Sequence, residues 1–211
     1  MTSSINLWKW EIASFDDFIM PDPKKNITTR SGCIPYTIME HEAYWLLGSF
    51  PDDQKTLTDF GGSCGVLGSV EPTLRKPPRV NYQLPLGCVL QEIAEESRLL
   101  LVRPILKSLG TREPIVYLGK KGHYSNIKSQ IWMLFVYIEP EEASDFILNF
   151  EPEVPDADEK FGPVNLYRAQ DVIDGKYKVS PNIEEFRLFL NSACSKDLET
   201  CVTKQQGYLK P

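Results

Sequence analysis

The sequence has no long hydrophobic run. Its longest, IWMLFVYI at 131–138, falls well short of the ~20 apolar residues that a helix needs to cross a bilayer. Excess positive charge is missing too: 23 Lys and Arg stand against 29 Asp and Glu, a net charge of −6. That balance argues against coating duplex DNA through the overall field of the protein. Cysteine is present without a pattern. Cys33, Cys64, Cys88, Cys194 and Cys201 form no CxxC pair and no zinc-type spacing, and an odd count makes a poor disulfide framework, so free thiols in a reducing compartment are expected. The glycine cluster GGSCGVLG lacks the Lys-Ser or Lys-Thr step of a phosphate-cradling loop. The two histidines, His41 and His123, stand near no nucleophile pattern. The opening MTSSINLWKWEIAS carries no basic segment ahead of an apolar core, which speaks against a secretory signal. A soluble, cytoplasmic protein is the expectation.

What is present suits one substantial domain. The 211 residues are 42% hydrophobic and 25% charged, an ordinary globular balance. We read residues 1–28 as an N-terminal extension, 29–197 as the domain with an insertion at about 65–82, and 198–211 as a polar tail. CIPYTIM and AYWLLGSF, parted by His41 and Glu42, read as a hairpin. PIVYLG (114–119) and QIWMLFVYI (130–138) read as strands, the second apolar enough to be central. EEASDFILNF reads as a short helix and GPVNLYRA as a strand. A helix from Ser180 is expected to bury Ile183, Phe186, Phe189, Leu190 and Ala193. Trp45, Trp132 and Phe135 read as core, Cys64 and Cys88 as small packed residues, and Tyr82 and Tyr124 as better placed for stacking on a base. PDDQK gives a turn signal, and Gly61 and Gly62 mark a backbone that turns tightly or approaches something closely.

The stretch QEIAEES at 91–97 holds three carboxylates, Glu92, Glu95 and Glu96, within LPLGCVLQEIAEESRLLL, where Leu86, Val89, Leu90 and Ile93 recur at helical spacing. Like charges at i, i+3 and i+4 repel by a few tenths of a kcal/mol per pair. The bland reading is a solvated face; the sharper one is a cation site. Hard divalent cations take carboxylate oxygens.

A strand ending in the diglycine of TDFGGSC, followed by a helix with Glu92, Ile93, Glu95, Glu96 and Leu99 at their spacing, resembles the Nudix hydrolase family. The correspondence covers roughly residues 32–101. The short form TDFGGSCG is similar to divergent viral members. The resemblance implies an α/β fold, an α/β/α sandwich with a mixed β-sheet flanked by helices. It also implies Mg2+ or Mn2+ held by Glu92, Glu95 and Glu96, with Glu95, Glu96 and a late-loop acid in catalysis. Glu159 leads for that last role, with Glu141 and Glu142 behind it. The activity implied is cleavage of a diphosphate linkage in a nucleoside diphosphate derivative or a capped RNA end. Four signature positions differ: Gln91 replaces the box arginine, Gln83 the upstream glutamate, Pro77 the opening glycine and Arg98 the late glycine. Gln91 can donate a hydrogen bond to a carboxylate but brings no charge. A catalytically weakened or inactive module that binds a nucleotide, RNA or protein is therefore the alternative, and a structural protein is a third.

Arg75, Lys76 and Arg79 lie in the proline-rich stretch before this helix, where three cations suit a phosphate-rich substrate. The expected partner is a nucleotide-type small molecule or an RNA 5′ end, with no membrane and no duplex DNA. A homodimer is the candidate oligomeric state.

Overall fold

The computed structural model describes residues 9–20, 27–50, 53–64, 66–67, 81–82, 84–122, 128–151 and 162–192. In chain order the elements are β1 (Lys9–Ala13), α1 (Phe15–Ile19), β2 (Ile27–Met39), β3 (Glu42–Phe50), β4 (Asp53–Thr58), β5 (Phe60–Ser63), β6 (Val66–Leu67), β7 (Asn81–Tyr82) and α2 (Pro85–Glu96). There follow α3 (Val102–Leu109), β8 (Ile115–Gly122), β9 (Lys128–Tyr137), α4 (Pro140–Asn149), β10 (Asn165–Arg168), α5 (Ala169–Ile173), β11 (Lys178–Val179) and α6 (Pro181–Ser192).

The main sheet runs β1-β8-β9-β2-β3-β4-β11, with β10 also on β3 and β5 also on β2. It is mixed: β2 lies parallel to β9 and antiparallel to β3 and β5, and β11 lies parallel to β4. Successive side chains of a strand face opposite ways, and β9 shows what this builds. Ile131, Met133 and Phe135 enter one core with Phe186 and Leu190 of α6 and Val172 of α5. Trp132, Leu134 and Val136 enter the other with Phe18 of α1, Val89 and Ile93 of α2, Ile105 of α3 and Phe146 of α4. Helices therefore cover both faces, and the architecture is the α/β sandwich expected. Trp45, Trp132 and Phe135 are all buried.

The β2–β3 hairpin turns at Glu40 and His41, both in the left-handed region (φ 51° and 67°), as a two-residue turn between right-twisted strands requires. Helix α4 starts with Pro140 after Glu139, whose N–H donates to Glu142 Oε2 (3.2 Å). In α6, Ile183, Phe186 and Leu190 are buried and Phe189 is partly so; Ala193 lies outside the described residues.

Several expectations need correcting. Part of the segment read as an N-terminal extension belongs to the body of the domain. In KWEIA, β1 pairs with β8, and Trp10 meets the Phe186 ring at 5.2 Å. Gly119, directly opposite, leaves the room the indole occupies. The turn signal in PDDQK is met, since Phe50 and Asp53 pair where β3 gives way to β4; what it did not show is that β4 runs on from Asp53 and pairs with Lys178 and Val179 of β11. Gly61 and Gly62 are extended strand residues that approach their neighbours closely. Most of the insertion at 65–82, like the tail at 198–211, lies outside the described residues. The insertion's two ends pair as β6 and β7, with Val66 opposite Tyr82.

The acidic helix also ends earlier than its apolar pattern predicts, at Glu96. Leu99 N donates to Ala94 O (2.8 Å) and Arg98 N to Glu95 O (3.2 Å), the paired bonds of a Schellman ending. That ending places Arg98 and Leu99 at φ 52° and 68°, where a side chain costs about 1–2 kcal/mol. Leu99 is 68% exposed, so its side chain recovers little by burial. Leu99→Gly relieves the strain and gives back about 0.4–1 kcal/mol through a looser unfolded chain. A net gain of about 0.5–1 kcal/mol is expected from the urea midpoint at constant slope; a loss of stability contradicts this reading.

Candidate active site

The site begins in β2, where Arg30 and Gly32 share one strand face. Across from them run Ser63, Gly62, Gly61 and Phe60 of β5, with Gly32 opposite Gly61. Asp59, immediately before β5, is fully buried. Its carboxylate takes a two-pronged clasp from Arg30: Nη1 donates to Oδ2 and Nη2 to Oδ1, both at 2.8 Å. Nη2 also donates to the Gly61 carbonyl (3.0 Å). A Cβ on Gly32 would sit 1.9 Å from Asp59 Oδ2 and 2.6 Å from Arg30 Nη1, so the ion pair occupies space that only glycine leaves. A Cβ on Gly61 would lie 2.4 Å from Gly32 Cα and 2.6 Å from the Ser31 carbonyl. Those are backbone atoms, which do not yield. Removing one partner of such a buried pair costs about 3–5 kcal/mol, because the other charge is left without its counter-ion.

Helix α2 lies over this strand. Pro85 opens its first turn, and the buried Val89 and Ile93 seat it on the second core. The same seating turns Glu92 and Glu96, one turn apart, toward β5. Glu96 Oε2 accepts from Gly61 N–H (2.9 Å). The Glu92 carboxylate stands over Gly62, where an added Cβ would be 2.2 Å from its Oε1. Burial pushes the Glu96 carboxyl up to about 9, helped by the charges of Asp59 and Glu92; Gly61 N–H and Arg30 offset only part of this. On Arg30, burial pulls downward, but Asp59, Glu96 and Glu92 outweigh it and keep the guanidinium above its ordinary value. The strand thus supplies a positive group to the acidic cluster that Gln91 does not.

Of the residues expected to form the site, the structure brings together Glu92, Glu96, Gly61 and Gly62. It does not bring Glu95 among them. Glu95 is exposed and accepts from Gln91 Nε2 (2.8 Å) on the outer face of the helix. Residues at i, i+3 and i+4 share a helix face, but the seating of Val89 and Ile93 on the core turns that face so that Glu92 and Glu96 meet β5 and Glu95 falls at its exposed edge. Among the described residues, no group of three or more His, Cys, Asp or Glu side chains is arranged to hold a metal ion. Glu142 is engaged by Lys107 Nζ (2.8 Å) and caps α4, which sets it apart from this cluster. Glu159, Arg75, Lys76 and Arg79 lie outside the described residues. Sequence reasoning missed Arg30 and Asp59. The available signal was a lone acid against the diglycine in TDFGG, and an arginine two residues before Gly32.

Two converging carboxylates fit a divalent cation of the kind that keeps most of its waters and is shared with substrate phosphate, since Mg2+ sites use one or two carboxylates in this way. The observation that makes the fit is geometric: Glu96 uses one oxygen on Gly61 N–H, and the Glu92 carboxylate stands beside it over Gly62.

No family model and no curated protein matches the chain. Among solved structures the chain is similar to Shewanella oneidensis NrtR, with 14% identity, 68% of this chain and 53% of that one covered, and a TM-score of 0.36. It thus spans about half the length of that chain. A second is the NUDIX domain of Shewanella oneidensis NrtR complexed with ADP ribose, with 13% identity, 84% and 99% covered, and a TM-score of 0.37. Likeness at this level assigns neither a family nor an activity. Among the described residues no helix is long and apolar enough to cross a membrane.

The Glu96 shift has a consequence for stability. A carboxyl raised from 4.5 to about 9 on folding binds its proton more tightly in the folded state. It therefore contributes stability in acid that is lost as pH climbs from the unfolded toward the folded value. Glu96→Gln keeps the acceptor for Gly61 and removes the titration. In chelator, the variant is expected to melt a few degrees above the parent at about pH 8.5, with the gap closing by about pH 5. Thermal scans at both pH values check this, and a gap independent of pH contradicts it.

Proposed function

We propose that the chain is a divalent-cation-dependent hydrolase of the Nudix type, cleaving the diphosphate linkage of a nucleoside diphosphate derivative. The observation that carries the reading is the pair Glu92 and Glu96, turned together onto the Gly61–Gly62 edge beside the buried Arg30–Asp59 ion pair.

Glu92 and Glu96 are the carboxylates that would hold Mg2+ or Mn2+. When bound, such an ion neutralises phosphate charge and lowers the pKa of an attacking water. Gly61 N–H holds Glu96 in place through one oxygen and leaves the other for the ion. Gly62, having no side chain, leaves Glu92 its position over the strand. Arg30 binds Asp59 and the Gly61 carbonyl, so the strand that positions Glu96 is itself held; losing a supporting group of this kind typically costs about 10 to 100-fold. Glu159 stays the proposed late-loop acid. An RNA 5′ end is the substrate that Arg75, Lys76 and Arg79 would favour, and a nucleotide-type small molecule needs none of them.

A second reading, a module that binds nucleotide without turnover, is favoured by Gln91. The neutral amide stands where the family's box has arginine, and it donates to Glu95. The two readings part on a panel of ADP-ribose, a dinucleoside polyphosphate and a capped RNA end, assayed with Mn2+, with Mg2+ and in chelator. Metal-dependent product release is expected. Glu92→Gln and Glu96→Gln are each expected to lower it at least about 100-fold, and Glu95→Gln to cost less than about 10-fold. Undiminished ligand binding in chelator with no product from any member removes the hydrolase and leaves the binding module.

A further inference from the structure

Cys88 sits one turn before Glu92 on α2, and Cys64 sits two residues beyond Gly62 at the end of β5. These offsets match. Two residues of strand advance about 6.6 Å and four residues of helix about 6 Å, so where Glu92 stands over Gly62, Cys88 comes over Cys64. The two thiols lie near enough for each to act on the other's ionisation, and Cys88 Sγ donates to the Gly62 carbonyl (3.8 Å). Both residues are buried as free thiols, Cys64 at 8% exposure and Cys88 at 1%. The backbone supports the approach from a second direction: β6 and β7, which follow Cys64 and precede Cys88, pair with each other. That pairing brings the two flanks of the stretch between the cysteines together.

We infer that Cys64 and Cys88 form an intramolecular disulfide when the protein meets a hydroperoxide, joining the end of β5 to the first turns of α2. One thiol attacks the peroxide oxygen; the O–O bond breaks, and a sulfenic acid and one molecule of water or alcohol result. The second thiol attacks that sulfur, the S–S bond forms, and the sulfenic oxygen leaves as water. Two thiols are oxidised and one peroxide is reduced. The strand and helix that carry the two cysteines already face each other at Gly62, whose carbonyl Cys88 Sγ meets. The bond closes the insertion into a covalent loop and ties together the two elements that carry Gly62 and Glu92. Neither metal nor substrate enters the step, so it stands or falls apart from the hydrolase reading.

The test uses the full chain in chelator, exposed to hydrogen peroxide, then denatured, alkylated and digested with trypsin. Cys64 lies in the peptide 56–75 and Cys88 in the peptide 80–98. The expected product is the two peptides joined, lighter by two hydrogens and separated by reductant, with the oxidised protein melting higher than the reduced one. Cys64→Ser and Cys88→Ser each abolish the joined species, whereas the double variant Cys194→Ser, Cys201→Ser retains it. Recovery of both peptides alkylated overturns the inference. So does a singly over-oxidised cysteine without linkage, or linkage of either peptide to another cysteine.

Discussion

The Arg30–Asp59 ion pair fills a volume that exists only because residue 32 has no side chain. Around it everything at the site is ordered by close approach. β2 and β5 run so near that Gly61 admits no Cβ against Gly32 and the Ser31 carbonyl. The guanidinium binds the Gly61 carbonyl, and the Glu96 carboxylate takes the Gly61 N–H. One strand residue thus couples a buried cation to a helix carboxylate. A bidentate arginine clasp is geometrically specific as well as strong, so it sets the position of the strand, and the strand sets the position of Glu96.

That arrangement sets folding against chemistry. Val89 and Ile93 press α2 onto the second core, and the same rotation carries Glu92 and Glu96 into a place where burial and the charge of Asp59 disfavour ionised Glu96. Burial of Val89 and Ile93, at roughly 25 cal/mol per Å2 of apolar surface, opposes that cost. A cation that bound only the folded state would add stability by mass action.

The fold was legible where periodicity was strong. The β2–β3 hairpin, β9, α2, α4 and α6 announce themselves by alternation or helical spacing, and each was placed within a few residues. The elements missed are those whose sequence contradicts their conformation. In TDFGGSC the diglycine left a tight turn or a close approach open; in β5 it is a close approach, Gly61 against β2 and Gly62 under Glu92. Helix α3 was hidden by Pro104, which occupies its first turn, where proline is tolerated. At the site, Glu92 and Glu96 were legible from spacing. The departure of Glu95 to the outer face was not, because spacing alone leaves the direction of the buried stripe open by part of a turn. Arg30 and Asp59 stand 29 residues apart, and nothing local joins them; the pair exists only once β5 has docked on β2.

Burial and the charges of Asp59 and Glu92 push Glu96 toward its neutral form, and a cation held between Glu92 and Glu96 would draw it back to the charged one. A carbon-detected NMR titration of glutamate-labelled protein, with Glu96 assigned through Glu96→Gln, measures this directly in chelator and again with Mg2+. Expected is a carboxyl that titrates near 9 without metal and moves to below neutrality with it. A Glu96 carboxyl with its ordinary value in chelator, or one that Mg2+ leaves unmoved, contradicts it.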